Sequence, residues 1–199
     1  MADSLYLSLW FPTFDLPDIL PRTVAILREI PFSAAKPGIT YAAIHPISWS
    51  EPTILERRFV PGLPPEEAVS LTLDFLHDDY AYAFEAYWDL WAPPEVTQQP
   101  WVREPTLLRV IAHGIEFEED AASASGHIQV DFGLDVPFLH EERALSPATE
   151  DRVRSNVQRL VEFTSNVEKN AGATGRLLWS ESEENLAQKL ISRLQRTNY

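Results

Sequence analysis

The sequence contains no cysteine and few glycines, 7 among 199 residues. Without cysteine there can be no disulfide bridge, thiolate metal ligand or cysteine nucleophile. None of the glycines has the spacing of a phosphate-binding loop, and no serine has a glycine two residues away on both sides, as a nucleophile elbow requires. A His-Glu-x-x-His motif is also missing from the sequence. The commonest signatures of nucleotide-binding proteins, serine hydrolases and zinc proteases are therefore absent.

Basic residues are scarce, with 16 lysines and arginines against 30 acidic residues and a net charge of −14. Nucleic-acid backbones and anionic membrane surfaces attract cationic proteins, so the sequence predicts neither partner. There is no apolar run of about 18 residues and no basic start followed by an apolar segment, which favours a cytoplasmic location. The same charge would attract a basic protein.

Aromatic side chains are abundant in residues 80–91, where six of the twelve residues are tyrosine, phenylalanine or tryptophan. The even-numbered positions form a nearly all-apolar set, and Glu85 and Asp89 fall among the odd-numbered ones. This period of two predicts a β-strand with one face in the core. The second face would be half covered by a helix or would line a pocket.

The first 92 residues predict the element order β-α-β-β-α-β. Strands are predicted over residues 5–11, 39–48, 53–60 and 80–91, and helices lie between Asp18 and Ile30 and after Pro65. This order is that of the ferredoxin-like plait. We therefore expect a ferredoxin-like α+β unit over residues 1–92.

Residues 93–105 contain four prolines and predict a stiff connection to a second α+β unit over residues 106–199. In that unit we expect a hairpin of residues 106–118 and 127–138, then a helix from Thr149 to Gly172, a short strand and a final helix. The second unit would be either a second plait-like unit or an extension of the first sheet.

Symmetric pairing of the hairpin about its loop would place Ile111, His113, Ile115 and Phe117 against the apolar face of the second strand. The acidic side chains Glu116, Glu118, Asp131 and Asp135 would then form an outer face. The only candidate metal ligands that the hairpin could bring together are His113, His127 and Asp131, and this register puts His113 on the other face from the rest. We therefore predict no metal site, no cofactor and no catalytic residue.

Two tryptophans, Trp49 and Trp101, fall in predicted turns, where an aromatic side chain either covers the core or contacts a partner. The full set of predicted ligand- or partner-binding residues is Trp49, Trp101, Tyr80, Tyr82, Tyr87, Trp88, Trp91 and His113. The leading hypothesis is a non-enzymatic acidic binding protein, such as an inhibitor or an immunity-like module, that engages a basic protein partner.

Two other hypotheses stay open. The first is a small-molecule-binding protein or enzyme of the plait type, with an aromatic pocket between the strand of residues 80–91 and the helix of residues 150–171. Tyr80, Tyr82, Trp88 and His113 would line that pocket. The second is a structural subunit whose exposed sheet face forms a homo-oligomer.

Overall fold

The computed structural model describes residues 3–93, 100–140, 145–181 and 185–195. Its seven strands form one antiparallel sheet in the order β3-β2-β4-β5-β6-β1-β7. The strands are β1 (Ser4–Trp10), β2 (Ile39–Pro46), β3 (Leu55–Leu63), β4 (Tyr80–Ala92), β5 (Val102–His113), β6 (Ile128–Leu134) and β7 (Gly175–Ser180). The chain therefore has a mixed α+β fold.

Six α-helices and one 3-10 turn (Leu73–Phe75) are described alongside the sheet. The helices are α1 (Leu16–Leu27), α2 (Pro65–Ser70), α3 (Ala121–Ala124), α4 (Val136–Leu139), α5 (Pro147–Ala171) and α6 (Leu186–Gln195). The longest, α5, begins at Pro147. Its N-cap is Ser146, three residues before the predicted N-cap Thr149, and its C-cap is Gly172 in a left-handed conformation. None of the described helices is both long and apolar enough to cross a membrane.

The main core lies between one face of the sheet and helices α1, α2, α4, α5 and α6. The even-numbered side chains of β4 point into it, as the alternation predicts, and Trp88 is fully buried. The Trp88 ring packs against Phe132, Phe138 and Phe163, with ring centroids 5.5, 6.1 and 6.1 Å away. The aromatic strand is therefore the centre of the core.

The element order of the first 92 residues agrees with the prediction, but their strands are not paired as in a ferredoxin-like plait, where β1 would lie beside β4. Instead, β1 lies between β6 and β7, separated from β4 by β5 and β6. The two halves share one sheet because β4 pairs with β5 along twelve residues, from Ala81–His113 to Ala92–Val102. The second half thus extends the same sheet, one of the two predicted arrangements.

The predicted register of the hairpin is wrong. Val110 pairs with Val130 and Ile111 with Gln129, so Leu108, Val110 and Ala112 face the main core. Ile111 and His113 point to the opposite face of the sheet, because a shift of one residue reverses every side chain of a strand. The strand ends at His113, and the backbone N–H of the next residue, Gly114, donates to the Tyr80 carbonyl.

The predicted second strand of this hairpin is too long. It ends at Leu134, and α4 begins at Val136 after Asp135. Asp135 is buried instead of lying on an acidic outer face.

Candidate functional site

The sheet face opposite α1 and α5, which we call the open face, carries a row of side chains with one residue from each strand. Direct cross-strand pairs connect Arg58, Tyr41, Glu85, Arg109, Asp131, Tyr6 and Trp179. Such pairs have side chains about 5 Å apart and interact directly. Polar and aromatic groups therefore cross the whole sheet on this face.

The centre of the row is an ion pair between Glu85 and Arg109. The Nε and Nη2 atoms of Arg109 donate to Oε1 of Glu85, at 3.1 and 2.5 Å. Glu85 is buried and Arg109 is partly exposed. Because the buried carboxylate needs its partner, the pair fixes the Arg109 side chain along the floor of the open face.

Residues 114–126 cross the open face above β4, β5, β6 and β1. Phe117 is fully buried and packs against Ala81, Ala83 and Ile111, forming a small second core. The Trp10 indole N–H donates to the Ser123 carbonyl at 3.2 Å, which attaches α3 to β1.

Three consecutive residues of this segment, Glu118, Glu119 and Asp120, have positive φ angles of 45°, 26° and 79°. Residues other than glycine rarely adopt this backbone conformation, and such backbone strain concentrates at functional sites. The backbone N–H of Glu118 donates to the Ile47 carbonyl at 2.9 Å, so a second contact holds the turn in place.

A cavity of about 420 Å³ lies between this segment and the sheet, within the range of small-ligand sites. Its floor includes Tyr6, Arg109, Ile111, His113, Gln129 and Asp131, and its walls include Trp49, Glu118, Glu119, Asp120, Ala121, Ala124 and Ser125. Four carboxylates thus surround a space that also presents two aromatic rings. Arg109 is the only lysine or arginine among the lining residues, and Glu85 already neutralises it.

Trp49 forms one wall of the cavity and is 41% exposed. Its ring lies 4.7 Å from the His45 ring, 6.1 Å from the His113 ring and 5.1 Å from the Phe117 ring, measured between centroids. An aromatic residue held on several sides and still exposed on another is typical of a contact residue at an interface.

Burial lowers the pKa of His113, the hydrogen bond to Gly126 opposes this shift, and His127 nearby lowers the pKa further. The His113 Nδ1–H donates to the Gly126 carbonyl at 2.9 Å, which leaves Nε2 as the nitrogen with the lone pair. The pKa of His45 is also lowered, first by burial and then by the charge of Arg109. Both rings beside Trp49 are therefore neutral near pH 7, and the negative charge of the cavity is not offset by them.

The structure brings two of the eight predicted site residues, Trp49 and His113, to this cavity. Tyr82 and Trp88 lie inside the main core, where burial raises the pKa of Tyr82 to about 12, so these two side chains line no open space. The Tyr80 ring stacks on His77 at 4.9 Å.

Three further predicted site residues lie at other positions. Trp101 packs against His140 at 4.9 Å between ring centroids. Tyr87 is on the open face beside Lys36, and the Trp91 ring, near the end of β4, lies beside Arg103 of β5 and Arg152 of α5. Sequence reasoning did not select Tyr6 or Arg109, although Tyr6 falls on the less apolar face of the predicted first strand.

No group of three or more histidine, aspartate or glutamate side chains in the described residues is arranged to hold a metal ion. Comparison of the chain with protein-family models, with curated proteins and with solved structures gave no significant match.

Proposed function

We propose that the protein is a binding module that engages a basic protein partner through the open face, in the manner of an inhibitor or an immunity protein. One observation carries this proposal: four carboxylates and the rings of Trp49 and Tyr6 surround a cavity large enough for a side chain. A guanidinium or ammonium group entering it would gain charge-assisted hydrogen bonds and a cation–π contact with Trp49 or Tyr6.

The charge of the whole chain supports the same partner. A net charge of −14 raises the rate at which a basic protein meets this surface, and low-dielectric walls focus the field inside a cavity. Association should therefore weaken as salt is added, since the Debye length shortens from about 30 Å at 0.01 M to about 10 Å at 0.1 M.

The first experiment is capture of partners from a native lysate by the immobilised protein and by two variants. The cavity variant carries Glu118→Gln, Glu119→Gln and Asp120→Asn, which keep side-chain size, and asparagine tolerates a positive φ. The control variant carries Glu67→Gln, Asp74→Asn and Glu162→Gln, which remove the same charge from exposed positions outside the cavity. We expect the capture of a basic protein whose affinity for the control variant is at least ten times its affinity for the cavity variant.

A small probe tests the recognition chemistry without the partner. Nα-acetyl-arginine methylamide should shift the Trp49 indole resonance in an NMR titration, and the neutral citrulline analogue should not. Equal capture by both variants, or equal shifts from arginine and citrulline, would contradict the proposal.

A further inference from the structure

A second concavity lies at the other end of the open face, between residues 35–37 and the β3 segment 59–62. It encloses about 540 Å³ and includes Lys36, Thr40, Arg58, Val60 and Tyr87 in its lining. Its exposed lining is mostly apolar, and Val60 is 97% exposed. We call this concavity the Lys36 cleft.

Close backbone contact builds the cleft. Between the pairs Ile39–Leu63 and Tyr41–Arg58, β3 has more residues than β2, so residues 59–62 bulge outward. Position 62 requires glycine, because a Cβ atom there would lie only 2.2 Å from the Pro37 carbonyl oxygen. Gly38 adopts a φ of +76° against Leu63. The two walls are therefore held together by the backbone.

Two cationic side chains are placed in the cleft by tyrosine rings. The Lys36 Nζ atom lies 4.0 Å from the centre of the Tyr87 ring, and the Arg58 Cζ atom lies 5.0 Å from that of Tyr41. In the part of the chain that the structure describes, neither cation forms an ion pair within 4 Å. Their charges are thus held in position without being neutralised.

None of the residues that line the cleft carries a carboxylate. Burial raises the pKa of Tyr41 and the charge of Glu56 raises it further, so Glu56 lies near Tyr41 and outside the lining, and Glu85 is paired with Arg109. Asp89, next along the open face after Tyr87, accepts from the backbone N–H of Ala34 at 3.4 Å. An anion in the cleft would therefore meet Lys36 and Arg58 as its nearest charged partners.

We propose that the Lys36 cleft binds a small amphiphilic carboxylate, with its anionic group between Lys36 and Arg58 and its apolar body against Val60 and Pro61. The occupant is anionic because the two positioned cations lack an anionic partner, and it is amphiphilic because the remaining lining is mostly apolar. The volume suits a small molecule. This site is separate from the acidic cavity and has the opposite charge preference.

The test is an NMR titration of the full chain with hexanoate, with hexanamide as its neutral isostere. Hexanoate should shift the amide signals of Lys36, Thr40, Val60 and Gly62, and bind at least five times more tightly than hexanamide. The variant Lys36→Gln/Arg58→Gln should weaken hexanoate binding at least tenfold.

Arg57→Gln/Lys169→Gln is the matched control, since Arg57 is exposed on the opposite face of β3 and Lys169 lies on α5. It removes the same charge and should leave the affinity unchanged. Val60→Glu, at a nearly fully exposed position, should also weaken binding without disturbing the fold. Shifts spread over the surface, equal binding of the amide, or equal loss in the control would overturn the proposal.

Discussion

Asn156 connects three elements of the fold through one side chain. Its Oδ1 atom accepts from the Trp91 backbone N–H at 2.8 Å, and its Nδ2 atom donates to the carbonyls of Trp91 and Pro137, both at 2.9 Å. Asn156 is on α5, Trp91 is near the end of β4, and Pro137 is on α4. The side chain thus pairs with the end of the aromatic strand as another strand would.

Replacing Asn156 with leucine keeps the approximate size of the side chain and removes all three hydrogen bonds. Each bond contributes about 0.5–1.5 kcal/mol net, and a buried donor or acceptor left without a partner costs about 1–3 kcal/mol. Asn156 is 2% exposed, so water cannot fully replace these contacts. We expect the free energy of unfolding to fall by about 2–4 kcal/mol.

Urea unfolding, followed by circular dichroism, measures this loss. With a slope of about 1–3 kcal/mol per molar urea, the midpoint should fall by about 1–2 M. Asn170→Leu is the matched control on the same helix, because the exposed Asn170 makes a hydrogen bond with Glu29 and should change stability by about 0.5 kcal/mol or less. A loss below about 1 kcal/mol for Asn156→Leu would refute the reasoning.

Two further predictions concern acid and close packing. Burial lowers the pKa of His45, His113 and His127, so the unfolded state binds more protons below about pH 6.5 and stability should fall as the pH drops from 7.5 to 5.5. The free energy of unfolding can change by up to about 1.4 kcal/mol per pH unit for each histidine. Replacing one of them, as in His45→Phe, should make this pH dependence shallower. A free energy of unfolding that rises on acidification would contradict the prediction. Gly62→Ala should destabilise the fold by about 1–3 kcal/mol because its Cβ atom would meet a carbonyl oxygen at 2.2 Å, whereas Gly175→Ala, with its nearest contact at 3.6 Å, should cost less than about 1 kcal/mol in the same urea assay.

The fold could be predicted from sequence where one face of an element is clearly more apolar than the other. The alternation around Trp88 predicted the buried face of β4 because the pleat places every second side chain in the core. In β5 the run from Leu107 to Ala112 is apolar on both faces apart from Arg109. Local periodicity therefore could not fix the register of that strand, and His113 was predicted on the wrong face.

The candidate site was harder to predict because the sheet order assembles it. Tyr6, Arg109 and Asp131 become neighbours only because β1 pairs with β6 at a distance from its sequence neighbours. The spacing of residues along the sequence does not predict that strand pairing. Trp49 could be selected because a large aromatic residue in a predicted turn is a signal that does not depend on strand pairing.

The open face separates charge along its length, and this arrangement makes the two proposals independent. Carboxylates of the acidic cavity lie beyond Arg109, whereas Lys36 and Arg58 lie on the other side of Glu85. The Glu85–Arg109 pair between them is neutral as a unit and is fixed by the burial of Glu85. Salt weakens both kinds of binding, but a charge-reversed probe selects one site: arginine derivatives should report on the cavity and hexanoate on the cleft. If only one of the two probes bound, the proposal for that probe's site would therefore stand and the other would be refuted.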